Sequence, residues 1–264
     1  MHEIERIGTA LSANPFRSDA ALTHSSYAGL ENDQLVRMLD GAPASAFARV
    51  AHTAFRSFVL DGAFPCLAAR AALTRGSYRF GAYERIADSD VTEGLARDLY
   101  AFAAERTGWK HDYTAFVATF RAPISGHDPE RAFEAALWKQ LELLHGLDRP
   151  HSAWDPRVSS DPESAQFSFS VAGTAFFIVG MHPASSRLAR RFGWPTVIFN
   201  AHEQFDSLKR KGQFEGLRMR IRTRDVALSG SVNPNLSDFG ERSEARQYSG
   251  RAVEEGWTCP YRSH

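Results

Sequence analysis

Apolar side chains at helical spacing open the pattern. Over residues 45–60, Phe47, Val50, Ala51, Ala54, Phe55, Phe58 and Val59 recur every three or four positions. That spacing predicts an amphipathic helix with Ser45 as N-cap and a stop at Asp61-Gly62. After Gly76 the pattern changes to the alternation Tyr78, Phe80, Ala82, a strand. Residues 90–107 read as a helix with Asp90 as N-cap and Glu93 completing a capping box. A strand over 113–120 follows, and Asp128-Pro129-Glu130 then opens a helix running to His145. Residues 146–166 are Pro- and Ser-rich, a connection able to cover a site. Strands over 167–171 and 174–181 flank Ala172-Gly173, the spacing of a tight hairpin. A helix over 184–192, a strand over 196–199 and helices over 201–229 complete the regular part. Residues 1–44, with turn signals at Asn14-Pro15 and Gly41-Ala42-Pro43, read as a lead-in segment to one domain over 45–264. The order predicts an α+β fold: a central mixed sheet of about five strands flanked by helices.

Composition narrows the class. The chain has 264 residues, 43% of them hydrophobic and 23% charged, which excludes disorder, collagen-like repeats and a small disulfide scaffold. Thirty-one basic and 31 acidic residues leave no net charge, so no nucleic-acid partner held by global charge is expected. The neutrality is uneven: Arg187 to Arg224 holds ten basic side chains against three acidic ones, a local excess of seven. A solvated helical face explains such a run, and so does an anion site. The sequence reads without a secretory leader or membrane span, and two cysteines far apart fit a reducing cytoplasm.

Three stretches carry candidate chemistry. If residues 174–199 form a βαβ unit, the two strands are parallel and His182 and His202 emerge together at their carboxyl ends, where open α/β sheets place ligands. For either histidine alone an ordinary hydrogen-bonded role is the plainer account, and Asn200 with Glu203 reads as another N-cap and capping box. Cys66, after Pro65 and before a short helical segment, would sit at helix N-terminal amides, which favour a thiolate; burial as a small hydrophobe is the plainer account. Cys259 reads as a packing residue. The polar run Asn233 to Tyr248 has no strong amphipathic period and suits either a loop closing on a ligand or a solvated tail. Walker, GxGxxG, GxSxG, HExxH and paired CxxC motifs are absent from the sequence.

Five blocks in order carry a resemblance. Phe64-Pro65-Cys66-Leu67-Ala68-Ala69-Arg70, Ser160-Asp161-Pro162-Glu163-Ser164, His182-Pro183-Ala184-Ser185-Ser186-Arg187, Asn200-Ala201-His202-Glu203-Gln204-Phe205 and Ser243-Glu244-Ala245-Arg246-Gln247-Tyr248-Ser249-Gly250-Arg251 together resemble the YqcI/YcgG family. Its characterised members are heme proteins that N-oxygenate nitrogen-rich substrates such as arginine. The resemblance implies heme b, O2, an external electron donor, a small nitrogen-rich substrate and a heme-binding domain over 45–264. It leaves a homodimer open. It favours Cys66 as axial ligand with His182 second, because divergent members keep the Phe-Pro-Cys block and replace the residues matching His202-Glu203-Gln204; a thiolate also assists O–O cleavage. Arg187, Arg190 and Arg191 are then expected at the propionates, Phe205 against the ring, and His202 and Glu203 as catalytic groups. Glu244 and Arg246 are expected to hold the substrate's cation and carboxylate. The rival expectations are a non-heme iron oxygenase built on His182, His202 and Glu203, and a non-catalytic heme carrier or sensor.

Overall fold

A computed structural model describes residues 14–111, 113–237 and 240–262; the part of the lead-in at 1–13 lies outside the described residues. Seven strands form one mixed sheet: β1 (Ala28–Glu31), β2 (Gln34–Arg37), β3 (Tyr78–Tyr83), β4 (Ala115–Phe120), β5 (Phe169–Val171), β6 (Thr174–Met181) and β7 (Thr196–Ala201). Their order across the sheet is β2-β1-β3-β4-β7-β6-β5. The α+β class holds, with two strands more than expected. Both come from the stretch read as lead-in, where the β1–β2 hairpin pairs with β3 at Ala28↔Phe80. The helices are α1 (Asp19–His24), α2 (Ala46–Leu60), α3 (Leu67–Arg75), α4 (Ser89–Arg106), α5 (Pro129–Asp148), α6 (Glu203–Arg210), α7 (Phe214–Ser229) and α8 (Ala245–Tyr248). No helix among the described residues is long and apolar enough to cross a membrane.

Local chemistry sets most boundaries. Ser45 caps α2 by accepting the Ala48 N–H at 3.1 Å, and Asp128 caps α5 with Pro129 in its first turn. Ala172 and Gly173 both adopt positive φ, 53° and 65°, as a two-residue hairpin requires. The capping box at α4 does not form: Asp88 caps it, and Glu93 accepts from Ser18 instead. Residues 184–192 hold only a 3-10 turn, Leu188–Arg190.

The decisive correction is strand direction. Only β3 and β4 run parallel, joined across α4; β6 and β7 are antiparallel, with Met181 opposite Thr196 and Phe176 opposite Ala201. The fourteen residues between them turn the chain back rather than crossing over. His182 and His202 therefore stand at opposite ends of the strand pair.

Each face of the sheet buries its own core. On one, Phe116, Ile178, Val197 and Phe199 pack beneath α4 and α5. On the other, Phe80, Val117, Met181 and Ile198 pack beneath α2. His52 of α2 lies in that second layer, 3% exposed, its Nε2 2.7 Å from the Tyr78 phenol. Desolvation first, then the Arg56 charge, holds the imidazole down at about 4. Because the folded value is depressed, this group's stability is intact above the ordinary histidine pKa and is lost as pH falls from there toward 4, about 2 kcal/mol by pH 5. Asp98, raised by desolvation to about 6, acts oppositely in that window. Urea melts at pH 7.5 and 5 are therefore compared between parent and His52→Gln, and the variant is expected to lose less on acidification.

Candidate functional site

The register of three strands builds the floor of a cavity. On the face toward α2 and α3, the rows Ala115–Asn200–Phe177 and Val117–Ile198–Val179 run across β4, β7 and β6. These side chains line a cavity of about 330 Å³, and its wall is mostly apolar. The α2–α3 corner contributes Phe55, Phe64 and Cys66. α6 contributes Phe205 and Leu208, and α7 adds Phe214, Leu217 and Ile221 from one stripe at positions i, i+3 and i+7. α7 is tied down where Arg224 donates to the Phe64 carbonyl at 3.0 Å and Asp225 receives Arg187.

Cys66 is the N-cap of α3, and the Ala69 N–H donates to its Sγ at 3.4 Å. Burial pushes its thiol up, while the Ala69 and Ala68 amides and the Arg190 charge act against that. Arg190 lies in the same wall. Its Nη1 donates to the Gly180 carbonyl at 3.0 Å, and no carboxylate among the described residues lies within ion-pair distance. Desolvation lowers its guanidinium to about 10. A half-buried cation without a carboxylate, in an apolar wall, suits an incoming anion. Arg187 is already engaged: Asp225, the Ser231 carbonyl at 2.9 Å and the Ser231 hydroxyl at 3.1 Å occupy its guanidinium.

A second polar group faces the cavity from the tail side. His202 Nε2 lies 3.3 Å from Glu244 Oε1, both nearly buried, and the Tyr248 phenol donates to Glu244 Oε2 at 3.4 Å. Phe205 stands edge-on to His202 with ring centroids 5.8 Å apart.

Six of the residues singled out in the sequence thus meet at one cavity: Cys66, Arg187, Arg190, His202, Phe205 and Glu244. The other four do not. His182 continues the opposite face of β6, stacked on Phe133 at 4.6 Å, with Nε2 buried and lacking a hydrogen-bond partner among the described residues. Glu203 turns outward to Arg106 at 3.0 Å and Arg157 at 2.9 Å; desolvation works against them, yet the two arginines hold its carboxyl below the usual range. Arg191 donates to the Ser185 carbonyl at 2.8 Å, and Arg246 to the Trp257 and Glu254 carbonyls. The capping box at Asn200 is absent as well: Asn200 belongs to β7 and its amide donates to the Phe177 carbonyl at 3.2 Å. A two-histidine, one-carboxylate iron site on His182, His202 and Glu203 is therefore excluded by strand direction. Among the described residues no group of three or more His, Cys, Asp or Glu side chains gathers as a ligand set.

The residues missed in the sequence are the apolar ones. Phe177, Val179 and Ile198 look like ordinary strand core, and only their register makes them a floor. The helix expected over this stretch has little amphipathic period, so Phe214, Leu217 and Ile221 could not be read as a roof over a cavity.

Four of the five sequence blocks contribute to this wall, through Phe64-Pro65-Cys66 with Ala68 and Ala69, Arg187, Asn200 with His202, Gln204 and Phe205, and Glu244 with Gln247. The remaining block, at 160–164, braces the tail: Ser243 donates to the Pro162 carbonyl at 2.6 Å, and the Cys259 N–H to Glu163 at 2.9 Å. No curated protein and no solved structure matches the chain. The YqcI/YcgG family model matches residues 55–262, most of the chain and the whole cavity wall, so the chain belongs to the YqcI/YcgG family.

Proposed function

We propose that this protein is a cytoplasmic, heme-dependent monooxygenase that N-hydroxylates a guanidine, amidine or amino nitrogen of a small specialised-metabolite precursor. The observation that carries the reading is convergence: blocks scattered from Phe64 to Gln247 bring a thiol, a cation without a carboxylate and a buried carboxylate to one apolar cavity. That donor set fits a heme. Cys66 would hold the iron through sulfur at the α3 N-terminus, and Arg190 would meet a propionate. Bound heme supplies binding and reductive activation of O2.

The remaining tasks belong to the chain. The apolar floor and the α7 stripe exclude water. Glu244 offers one buried carboxylate to a cationic nitrogen, and His202 beside it holds or releases a proton at Nε2. The overall reaction consumes O2, two electrons and two protons, leaving an N-hydroxyl and water. The electrons come from an external redox partner, since the sequence shows no flavin or nicotinamide motif.

Two measurements test the reading. Protein produced with ample heme is expected to show a Soret band, and its absence overturns the proposal. With reductant and O2, arginine or another guanidine is expected to yield a product one oxygen heavier; a heme-loaded protein silent across a broad guanidine panel is instead a carrier or sensor. Glu244→Gln is expected to raise KM for a cationic guanidine about tenfold or more, the loss of a charge-assisted hydrogen bond, with less effect on a neutral amine substrate.

A further inference from the structure

Three of the chain's five tryptophans and two tyrosines gather behind the cavity, where α5 and the tail pack over the β5–β6 edge. Trp138 projects from α5, Tyr248 from α8, Trp257 and Tyr261 from the tail, and Trp154 from the connection after α5. The rings touch in sequence. Phe177, in the cavity wall, meets Tyr248 edge-on at 5.8 Å. Tyr248 stacks on Trp138 at 5.6 Å, and Trp138 meets Trp257, which is half-buried, at 6.3 Å.

Apolar packing explains the rings but not their polar atoms. Trp138 Nε1 and the Tyr261 phenol are buried without hydrogen-bond partners among the described residues. Each such orphan costs about 1–3 kcal/mol, a penalty that phenylalanine in the same space avoids. The Tyr248 phenol, in contrast, is wired: it receives the Phe169 N–H at 3.1 Å, and its proton has two acceptors at 3.4 Å, the Phe176 carbonyl and Glu244 Oε2 in the cavity wall, of which only the carboxylate can take it up. An indole with no base beside it keeps its proton when oxidised, and so remains able to take an electron from the next ring. A phenol must shed its proton when oxidised, and a carboxylate beside it accepts one. Trp138 and Tyr248 each have the surroundings that a relay position needs.

We propose that Tyr248, Trp138 and Trp257 form a one-electron relay that carries oxidising equivalents from the cavity to the protein surface. The relay rests on the proposed reaction for its natural oxidant, an O2-derived one-electron oxidant formed in the cavity when substrate is missing. That oxidant takes one electron from Tyr248, whose phenol proton passes to Glu244. Trp138 returns the electron while Glu244 returns the proton, and Trp138 is left as a radical cation. Trp257 then reduces Trp138 and loses its own indole proton to water. In sum one electron and one proton leave Trp257, the oxidant is reduced by one electron, and the cavity wall is restored.

The test replaces the natural oxidant. In a Cys259→Ser background, Cys66 in the full-length chain is alkylated with a ruthenium polypyridyl photosensitiser and flashed in the presence of an irreversible quencher and O2. Oxidation products at each tryptophan are then mapped by mass spectrometry. Trp257 is expected to be the principal oxidised tryptophan, and its yield is expected to fall several-fold in Trp138→Phe and in Tyr248→Phe. Trp109, which joins the same core through the hard-to-oxidise ring of Phe102, serves as the internal control. Equal Trp257 yields in parent and both variants, or Trp109 oxidised as strongly as Trp257, overturn the relay. Matching thermal melts confirm that the variants fold, and Trp138→Tyr, which restores an oxidisable ring, is expected to recover the yield. A missing Soret band would defeat the heme reading while leaving this readout intact.

Discussion

Glu134→Ala is expected to destabilise the fold by about 3 kcal/mol and to loosen the tail side of the cavity before the rest of the sheet. Glu134 of α5 receives Arg251 Nε at 3.0 Å and Nη2 at 2.8 Å on one oxygen and the Ser249 hydroxyl at 3.1 Å on the other. Both ionic side chains are 9% exposed, so removing the carboxylate strands a guanidinium that water cannot fully reach. Glu254 still touches Arg251 Nη1 at 3.0 Å, which places the cost at the lower end for a broken buried pair. The effect matters for function because Arg251 closes the segment that carries Glu244 and Tyr248. A lower urea midpoint, with hydrogen-exchange protection lost at 243–251 while β3 and β4 keep theirs, is the expected signature. Glu134→Leu combined with Arg251→Met is expected to be less damaging than either single change, since no charge is left buried. If the double variant is as unstable as the singles, packing rather than charge holds this corner.

Cys66→Ser is expected to leave the fold intact and to abolish the thiolate signature of the loaded protein. The fold survives because serine is a good helix N-cap and can take over acceptance of the Ala69 N–H. On the proposed heme reading the chemistry does not, because a neutral hydroxyl is a far poorer iron ligand than a thiolate. In heme-loaded parent protein the ferrous–CO Soret band is expected well to the red of the imidazole position. In the variant that position is expected to be lost and N-oxygenation to fall to background, with thermal melts unchanged. A parental spectrum in Cys66→Ser would remove Cys66 as ligand. His182 is a poor substitute on geometry, since it stacks on Phe133 across the sheet from the cavity.

The contrast between local and distant information follows these residues. Ser45, Asp128 and the Ala172-Gly173 turn were legible because a cap or a tight hairpin is satisfied within three or four residues. The α4 cap lies at Asp88, whose carboxylate accepts the Asp90 and Val91 N–H groups at 3.1 Å, and Glu93, needed for the box at Asp90, accepts instead from Ser18 far along the chain. β4 is buried at every position, so no alternation could show which of its side chains face the cavity. Among site residues, Cys66 and Glu244 stood in motif blocks. Phe177 and Ile198 stood in none, and they form the cavity floor only through register.

By itself the sequence determined the α+β class, most helix starts, the family blocks and an excess of basic residues between Arg187 and Arg224 in a chain of zero net charge. Each is a local or additive property. Only the tertiary structure decided that β6 and β7 run antiparallel, a choice made by pairing across the sheet that the fourteen-residue connection leaves open. That choice sent His182 and His202 to opposite ends of the strand pair. It also determined which arginines stay committed, with Arg187 bound to Asp225, and left Arg190 in the apolar wall without a carboxylate, because partners are assigned by spatial approach and not by order along the chain.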